Sequence, residues 1–281
     1  MKREFFIWCF MLTCFCGFSQ HQRFVYLGTY KPDKTEEHKV AQLFALDVSN
    51  GKSLFHSIEN PDSREKYIQE LASYKSIVGW DLNWYIYKSK GRVDFAVNHV
   101  STTYEYGELD QIQWKITDRK LPLDGYSKAQ LAETEFGGRQ WLAYFDTEIP
   151  VFDGPYKFSG LPGLIVKLES LDGDYMFELI AKEQVKEASV DKPLNTIKLK
   201  KTKYLELMRS KAKNPIADWR VYYKNMGYSD VATVVVNGVS MTLNQMLKED
   251  EIVEKLWQEQ HNNPVERDDV WLKFGGIILA D

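Results

Sequence analysis

Short segments that alternate between apolar and polar residues, separated by turn residues, dominate the first two thirds of the chain. They lie at 24–27, 43–46, 84–87, 93–97, 112–116, 141–145, 165–168 and 175–180. Aromatic residues make up 14% of the sequence, which favours strands because flat rings pack well on a pleated surface. Asn50-Gly51 and Asp172-Gly173 each separate two such segments and are typical of hairpin turns. Consecutive hairpins predict an antiparallel meander.

Helical spacing of apolar residues occurs in three further segments. The first, 62–75, follows the capping residues 60–63, and the others are 202–212 and 243–260. A short hairpin is predicted at 232–241, around Asn237-Gly238. We therefore predict an α+β fold that is mainly antiparallel β, a curved sheet or half-barrel meander with packed helices. It forms a single domain over 21–281, in which 182–281 is a helical appendage.

The first twenty residues have the pattern of a secretory signal peptide. Lys2 and Arg3 precede the apolar run 5–18, and Ser19-Gln20 offers a cleavage point. The run is shorter than the roughly 20 residues that a membrane-spanning helix needs. Lipid attachment at Cys14 is the alternative, although 11–13 matches the required small-residue pattern poorly. We expect an exported protein, periplasmic or extracellular, with no transmembrane segment after cleavage.

Composition narrows the classes of partner and cofactor that we expect. All three cysteines (Cys9, Cys14 and Cys16) lie within the leader, so residues 21–281 offer neither a disulfide nor a thiolate site. Without the leader the net charge is −5, and an acidic chain is a poor partner for nucleic acid. The five histidines are scattered, with no zinc-binding spacing. No metal and no cofactor is predicted.

The segment 136–168 holds five glycines and three prolines interleaved with aromatic residues. Glycine permits close backbone approach and proline fixes φ, so the segment is predicted to form rigid loops. Phe152, Tyr156 and Phe158 then either pack on the core at a rigid corner or line an aromatic binding surface. A catalytic loop is the third alternative.

Arg139 and Trp141 lie in a strand-like part of the same segment. A buried arginine needs a partner, and Asp146, Glu148 and Asp153 are the expected ones. The alternative is that its guanidinium binds a carboxylate or phosphate of a ligand. We take Arg139, Trp141, Phe152, Tyr156 and Phe158 as candidate ligand-binding residues.

The segment Gly160-Leu161-Pro162-Gly163-Leu164-Ile165 matches the motif that names the GLPGLI family. Further residues resemble the family's pattern in type and order: Gly125-Tyr126, Phe136, Gly138-Arg139, Trp141, Glu148-Ile149-Pro150, Gly154-Pro155, Lys157-Phe158 and Asn262-Asn263-Pro264-Val265. The chain resembles this family of exported proteins from Bacteroidetes-type bacteria. The resemblance implies location and fold, but it implies no activity and no catalytic residue. Ser127-Lys128-Ala129 stands where many relatives have a cysteine.

The absence of catalytic motifs and the density of aromatic residues favour a non-enzymatic function. We expect an exported cell-envelope protein that binds or carries an apolar or peptide-like ligand, or an envelope partner. The alternative is a hydrolase of unrecognised type that uses Asp146, Glu148 or Asp153.

Overall fold

The structure is a computed structural model that describes residues 21–60, 65–67, 82–109, 112–120, 129–185, 190–192 and 196–269. The expected signal peptide at 1–20 lies outside the described residues, as do Gly125-Tyr126 and most of the helix predicted at 62–75. Residues 65–67 of that helix are described, and they are helical.

The described chain contains fourteen strands and three helices with assigned bounds. The strands are β1 His21–Tyr30, β2 Val40–Ser49, β3 Lys52–Ser57, β4 Trp84–Ser89, β5 Arg92–His99, β6 Thr102–Leu109, β7 Lys115–Lys120, β8 Gln130–Phe136, β9 Arg139–Asp146, β10 Leu164–Ser170, β11 Tyr175–Val185, β12 Thr196–Leu199, β13 Thr233–Val236 and β14 Val239–Thr242. The helices are α1 Lys201–Lys213, α2 Ala217–Asn225 and α3 Leu243–Gln260.

Twelve strands form one curved, unclosed sheet in the order β12-β6-β5-β4-β3-β2-β1-β11-β10-β9-β8-β7. Strands β1 to β6 form one meander and β7 to β11 a second, and the two meet where β1 pairs with β11. The pairs are antiparallel, apart from β12, which lies parallel to β6. The predicted α+β fold, a curved antiparallel meander with packed helices, is confirmed.

Four two-residue turns close hairpins with both central residues at positive φ. Asn50-Gly51 joins β2 to β3, Lys90-Gly91 joins β4 to β5, Gly137-Gly138 joins β8 to β9, and Asn237-Gly238 joins β13 to β14. Such turns match the right-handed twist of the flanking strands, which explains the preference for Asn-Gly. Asp172-Gly173 lies instead within a four-residue connection, because β10 ends at Ser170 and β11 begins at Tyr175.

The central strands are buried on both faces. On β1, Phe24 and Tyr26 belong to the main core, while Val25 and Leu27 belong to a smaller cluster that includes Tyr67. This division follows from the alternation of side chains along a strand. The main core is completed by side chains from the 136–168 segment, from α1 and from Val265.

A second, small core lies between residues 216 and 247. It is made by the side chains Ile216, Tyr223, Val234, Leu243, Met246 and Leu247, from α2, the β13–β14 hairpin and α3. The predicted helices at 202–212 and 243–260 and the hairpin at 232–241 are present. Within the described ranges, no helix is both long and apolar enough to cross a membrane.

Four elements were not predicted, and one predicted strand begins later than expected. The elements are β6, β8, β12 and α2, whose sequences carry charged or polar residues at many positions. The strand predicted at 112–116 begins only at Lys115, since Trp114 turns its indole N–H toward the Ser159 carbonyl at 2.7 Å.

Candidate functional site

The chain between β9 and β10 folds into a compact loop, residues 147–163, which we call the motif loop. Its backbone closes on itself, since Gly160 N–H donates to the Phe152 carbonyl at 3.1 Å. Asp153 and Ser159 form an isolated β-bridge within it. A Cβ on Gly163 would lie 2.2 Å from the carbonyl oxygen of Asp146, so this contact between loop and strand requires glycine.

Most aromatic side chains of this segment point into the core. Tyr156 and Phe158 are buried, and so is Trp141 on β9. The Phe158 ring centroid lies 4.9 Å from that of Trp141, and Tyr156 lies 5.1 Å from Trp84. These three candidate ligand-binding residues therefore pack against other protein groups. The motif loop therefore contributes side chains to the main core.

Phe152 differs from its neighbours, because 64% of its side chain is exposed. It is the one candidate aromatic residue that an external ligand can reach without opening the core.

An ionic cluster lies beneath the motif loop. Lys157 contacts the carboxylates of Glu266 and Glu108, and its ammonium lies 2.8 Å from the Tyr106 hydroxyl. Lys201, at the start of α1, donates to Glu266 at 2.6 Å. Burial opposes the ionisation of Glu266, but the charges of Lys157 and Lys201 outweigh it and lower its pKa to about 2.

The hydroxyl of Tyr156 donates to Glu266 at 2.8 Å, and this bond holds a strained residue. Tyr156 has a φ of 53°, a conformation that a bulky side chain adopts only when its surroundings impose it. Burial, together with the nearby Glu266 carboxylate, raises the pKa of Tyr156 well above its usual value, so its hydroxyl stays a donor. The cluster therefore ties the motif loop to the segment that follows α3.

Arg139 is satisfied by protein groups. Its Nη1 contacts the carboxylates of Asp172 and Asp174, and its Nε donates to the Val265 carbonyl at 3.2 Å. Its Nη2 donates to the Asn263 side chain and to the Pro264 carbonyl. The expectation that Asp146, Glu148 or Asp153 would pair with Arg139 was wrong. The partners lie 33 or more residues away in sequence. Asp172 and Asp174 meet Arg139 through the pairing of β9, β10 and β11, whereas the other three partners lie on the segment that follows α3.

The three candidate acids have separate surroundings. Asp146 ends β9 and accepts a hydrogen bond from the Glu148 backbone N–H at 2.9 Å. Asp153 forms an ion pair with Lys88 and accepts hydrogen bonds from Ser53 Oγ at 2.5 Å and from the Gly154 N–H at 2.7 Å. Lys88 also donates to the Gly154 carbonyl at 2.7 Å. These bonds hold the motif loop against β3 and β4.

Beside this anchor lies a surface groove with a volume of about 400 Å³. One wall is the start of the motif loop, 150–153, with Phe152 exposed on it. The opposite wall consists of Gly51, the Lys90-Gly91 turn and the strand residues beside them. Ser53, Lys88 and Asp153 contribute to the lining. The volume lies within the range of small-ligand sites.

Positive charge predominates in the groove. Its lining includes the cations Lys52, Lys88, Lys90 and Arg92, against the single carboxylate Asp153. Phe152 and Asp153 were candidates from the sequence, whereas the four cations were not. They come from strands and turns more than fifty residues away. The local signals there were the Asn50-Gly51 dipeptide, which predicted a turn, and the Lys90-Gly91 dipeptide.

Searches for similar proteins return little. No family model matches the chain, and no curated protein matches it. Two solved structures of PNGF-II, in the P21 and C2 space groups, are similar to part of it. The identities are 13% and 12% and the TM-scores 0.47 and 0.49. Each match covers 66% of this chain but only 32% of PNGF-II, so the chain spans about a third of that protein.

Proposed function

We propose that this chain is an exported, non-enzymatic binding protein of the cell envelope, and that the groove beside Phe152 is its ligand site. The single observation that carries the proposal is the exposure of Phe152 on a loop whose other aromatic side chains are buried. The ligand is apolar or peptide-like. The GLPGLI resemblance and the leader pattern of residues 1–20 support export to the periplasm or the extracellular space.

The rigidity of the motif loop supports a binding role for Phe152. Lys88 and Asp153 anchor the loop next to it, and Gly163 packs against the backbone of β9. An aromatic side chain that is held in place loses little conformational entropy when a ligand covers it. Covering a Phe side chain stabilises a complex by roughly 2 kcal/mol.

The packing of the motif loop supports a surface site. A carrier that encloses an apolar molecule needs an open interior, but Tyr156, Phe158 and Leu161 are buried in the main core. We therefore place the ligand, or a segment of an envelope partner, in the surface groove.

Native mass spectrometry of protein purified from its natural envelope tests the proposal. The wild type is expected to carry an additional mass that organic extraction releases, and Phe152→Ser is expected to lose it. Met226→Ser is the matched control, because Met226 is similarly exposed, at 61%, at the end of α2. An apo mass for the wild type, or full retention of the ligand by Phe152→Ser, would contradict the proposal.

The hydrolase that uses Asp146, Glu148 or Asp153 stays the alternative prediction. The bonds of Asp146 and Asp153 to backbone N–H groups, Ser53 and Lys88 are those of loop-anchoring carboxylates, which supports the non-enzymatic reading. Any hydrolysis by the purified chain that survives replacement of all three acids by their amides would eliminate this alternative.

A further inference from the structure

We infer that the groove recognises a carboxylate attached to an apolar group, with Lys90 and Arg92 holding the carboxylate and Phe152 contacting the apolar part. This inference rests on the proposed function and names the class of ligand for the same site. The carboxyl end of an apolar peptide and a fatty acid share this chemistry.

The charge balance supports an anionic ligand. Lys88 and Asp153 neutralise each other and are both used in anchoring the motif loop. The remaining lining cations lie at the rim, where Lys52 is 3.6 Å from the exposed Asp191 and Arg92 uses its Nε on Asp94. Lys90 is exposed and makes no ion pair with any residue of the described chain. A carboxylate in the groove meets a net positive rim.

The backbone at Lys90 is a second, independent observation. Its φ is 48°. The first residue of each other two-residue turn between paired strands also has positive φ, and that residue is Asn50, Asn237, Gly137 or Val100. Asparagine tolerates this conformation better than lysine, so Lys90 costs the β4–β5 turn backbone stability. Lys90 thus costs stability at a position where asparagine would serve. Because it also lies at the rim of the groove without an ion pair, we infer that it has a role in binding.

The wall formed by the start of the motif loop is apolar. Pro150, Val151 and the exposed ring of Phe152 face the turns that carry the cations. A ligand with both characters satisfies both walls, whereas a small inorganic anion leaves the Phe152 ring uncovered. This arrangement selects an amphipathic carboxylate.

Titration calorimetry on the chain without its leader tests the inference with three probes at low ionic strength. They are the tripeptide Ala-Ala-Phe as the free acid, the same tripeptide as its C-terminal amide, and octanoate. We expect at least one carboxylate probe to bind. If the natural ligand is a peptide, we expect the free peptide acid to bind at least tenfold more tightly than the amide. If the natural ligand is a fatty acid, we expect octanoate alone to bind.

Lys90→Asn separates binding from folding. Because Asn suits the turn, this variant is expected to keep or raise the melting temperature while it weakens carboxylate binding about fivefold or more. Lys203→Gln, an exposed lysine on α1, is the charge control and is expected to bind like the wild type. Unchanged carboxylate affinity in Lys90→Asn would overturn the inference.

The outcomes distinguish this inference from the proposed function. The extracted ligand could be neutral, with binding that depends on Phe152 but not on Lys90. This result would overturn the carboxylate inference but would not contradict the binding function. The absence of binding by all three probes, together with an apo mass for the envelope-purified protein, overturns both.

Discussion

Nη1 of Arg139 lies 2.8 Å from Oδ2 of Asp174, across the turn that joins β10 to β11. The five N–H groups of this guanidinium meet five acceptors, two on that turn and three on the Asn263–Val265 segment. The side chain of Arg139 is only 2% exposed. Arg139 thus fastens the turn and the segment after α3 to the start of β9, and no donor is left for a ligand.

Replacement of Arg139 by Met is expected to destabilise the fold by about 3 kcal/mol, because it leaves the buried Asn263 side chain, two backbone carbonyls and two partly exposed carboxylates without their donor. Arg139→Lys keeps the charge but cannot span five acceptors, so a loss of about 2 kcal/mol is expected. Denaturant unfolding followed by tryptophan fluorescence measures both. The control is Arg220→Lys on α2, whose partner Asp230 is exposed. Wild-type stability in Arg139→Met would show that this cluster is not needed for folding.

Glu266 makes stability depend on pH in the acid range. Its folded pKa is about 2 and its ordinary value 4.5, so its ionisation stabilises the fold above about pH 4.5. This contribution, about 3 kcal/mol, is lost as the pH falls from 4.5 through 2. Glu266→Gln is therefore expected to be less stable than the wild type at neutral pH, and the gap is expected to close toward pH 2.

Unfolding free energies measured across this pH range test the Glu266 prediction. Glu206→Gln serves as the control, since Glu206 is exposed and pairs with an exposed lysine on α1. A gap between wild type and Glu266→Gln that stays constant with pH would mean that Glu266 is not held ionised by its lysine partners.

The two glycines of the GLPGLI motif are expected to differ in their tolerance of alanine. Gly160 has a φ of 87° and open space around it, so Gly160→Ala costs about 1–2 kcal/mol of backbone energy. A Cβ on Gly163 meets the Asp146 backbone at 2.2 Å, which forces the loop away from β9. Gly163→Ala is expected to cost about 3 kcal/mol or more. Thermal unfolding of the two variants is the measurement, and equal losses would contradict the packing role of Gly163.

Lys88 is expected to hold the motif loop in place. Lys88→Met leaves Asp153 without its ammonium partner and the Gly154 carbonyl without a donor, which costs about 3 kcal/mol. Limited proteolysis is expected to cut the variant within 150–160 faster than the wild type. Lys52→Met is the matched control, since Lys52 lines the same groove but is half exposed and has only a distant partner. Equal cutting of both variants would exclude an anchoring role.

Local patterns predicted the strands that alternate in polarity and the turns that contain Asn-Gly. They missed β6 and β8, because charged residues weaken the apolar period there. They also missed the parallel strand β12, whose partner β6 lies about ninety residues earlier in the sequence. The burial of Trp141, Tyr156 and Phe158 was one of the alternatives that the sequence allowed, but periodicity could not choose between core and binding surface.

The sequence by itself determined the curved antiparallel sheet, since alternation and turn chemistry act between neighbours along the chain. Only the tertiary structure decided the partners of Arg139 and the location of the groove. Asp174, Asn263 and Lys90 reach these places through strand pairing and loop packing across tens or hundreds of residues, and no local preference encodes such contacts. Phe152 was visible in the sequence, but its exposure was settled by the packing of the loop around it.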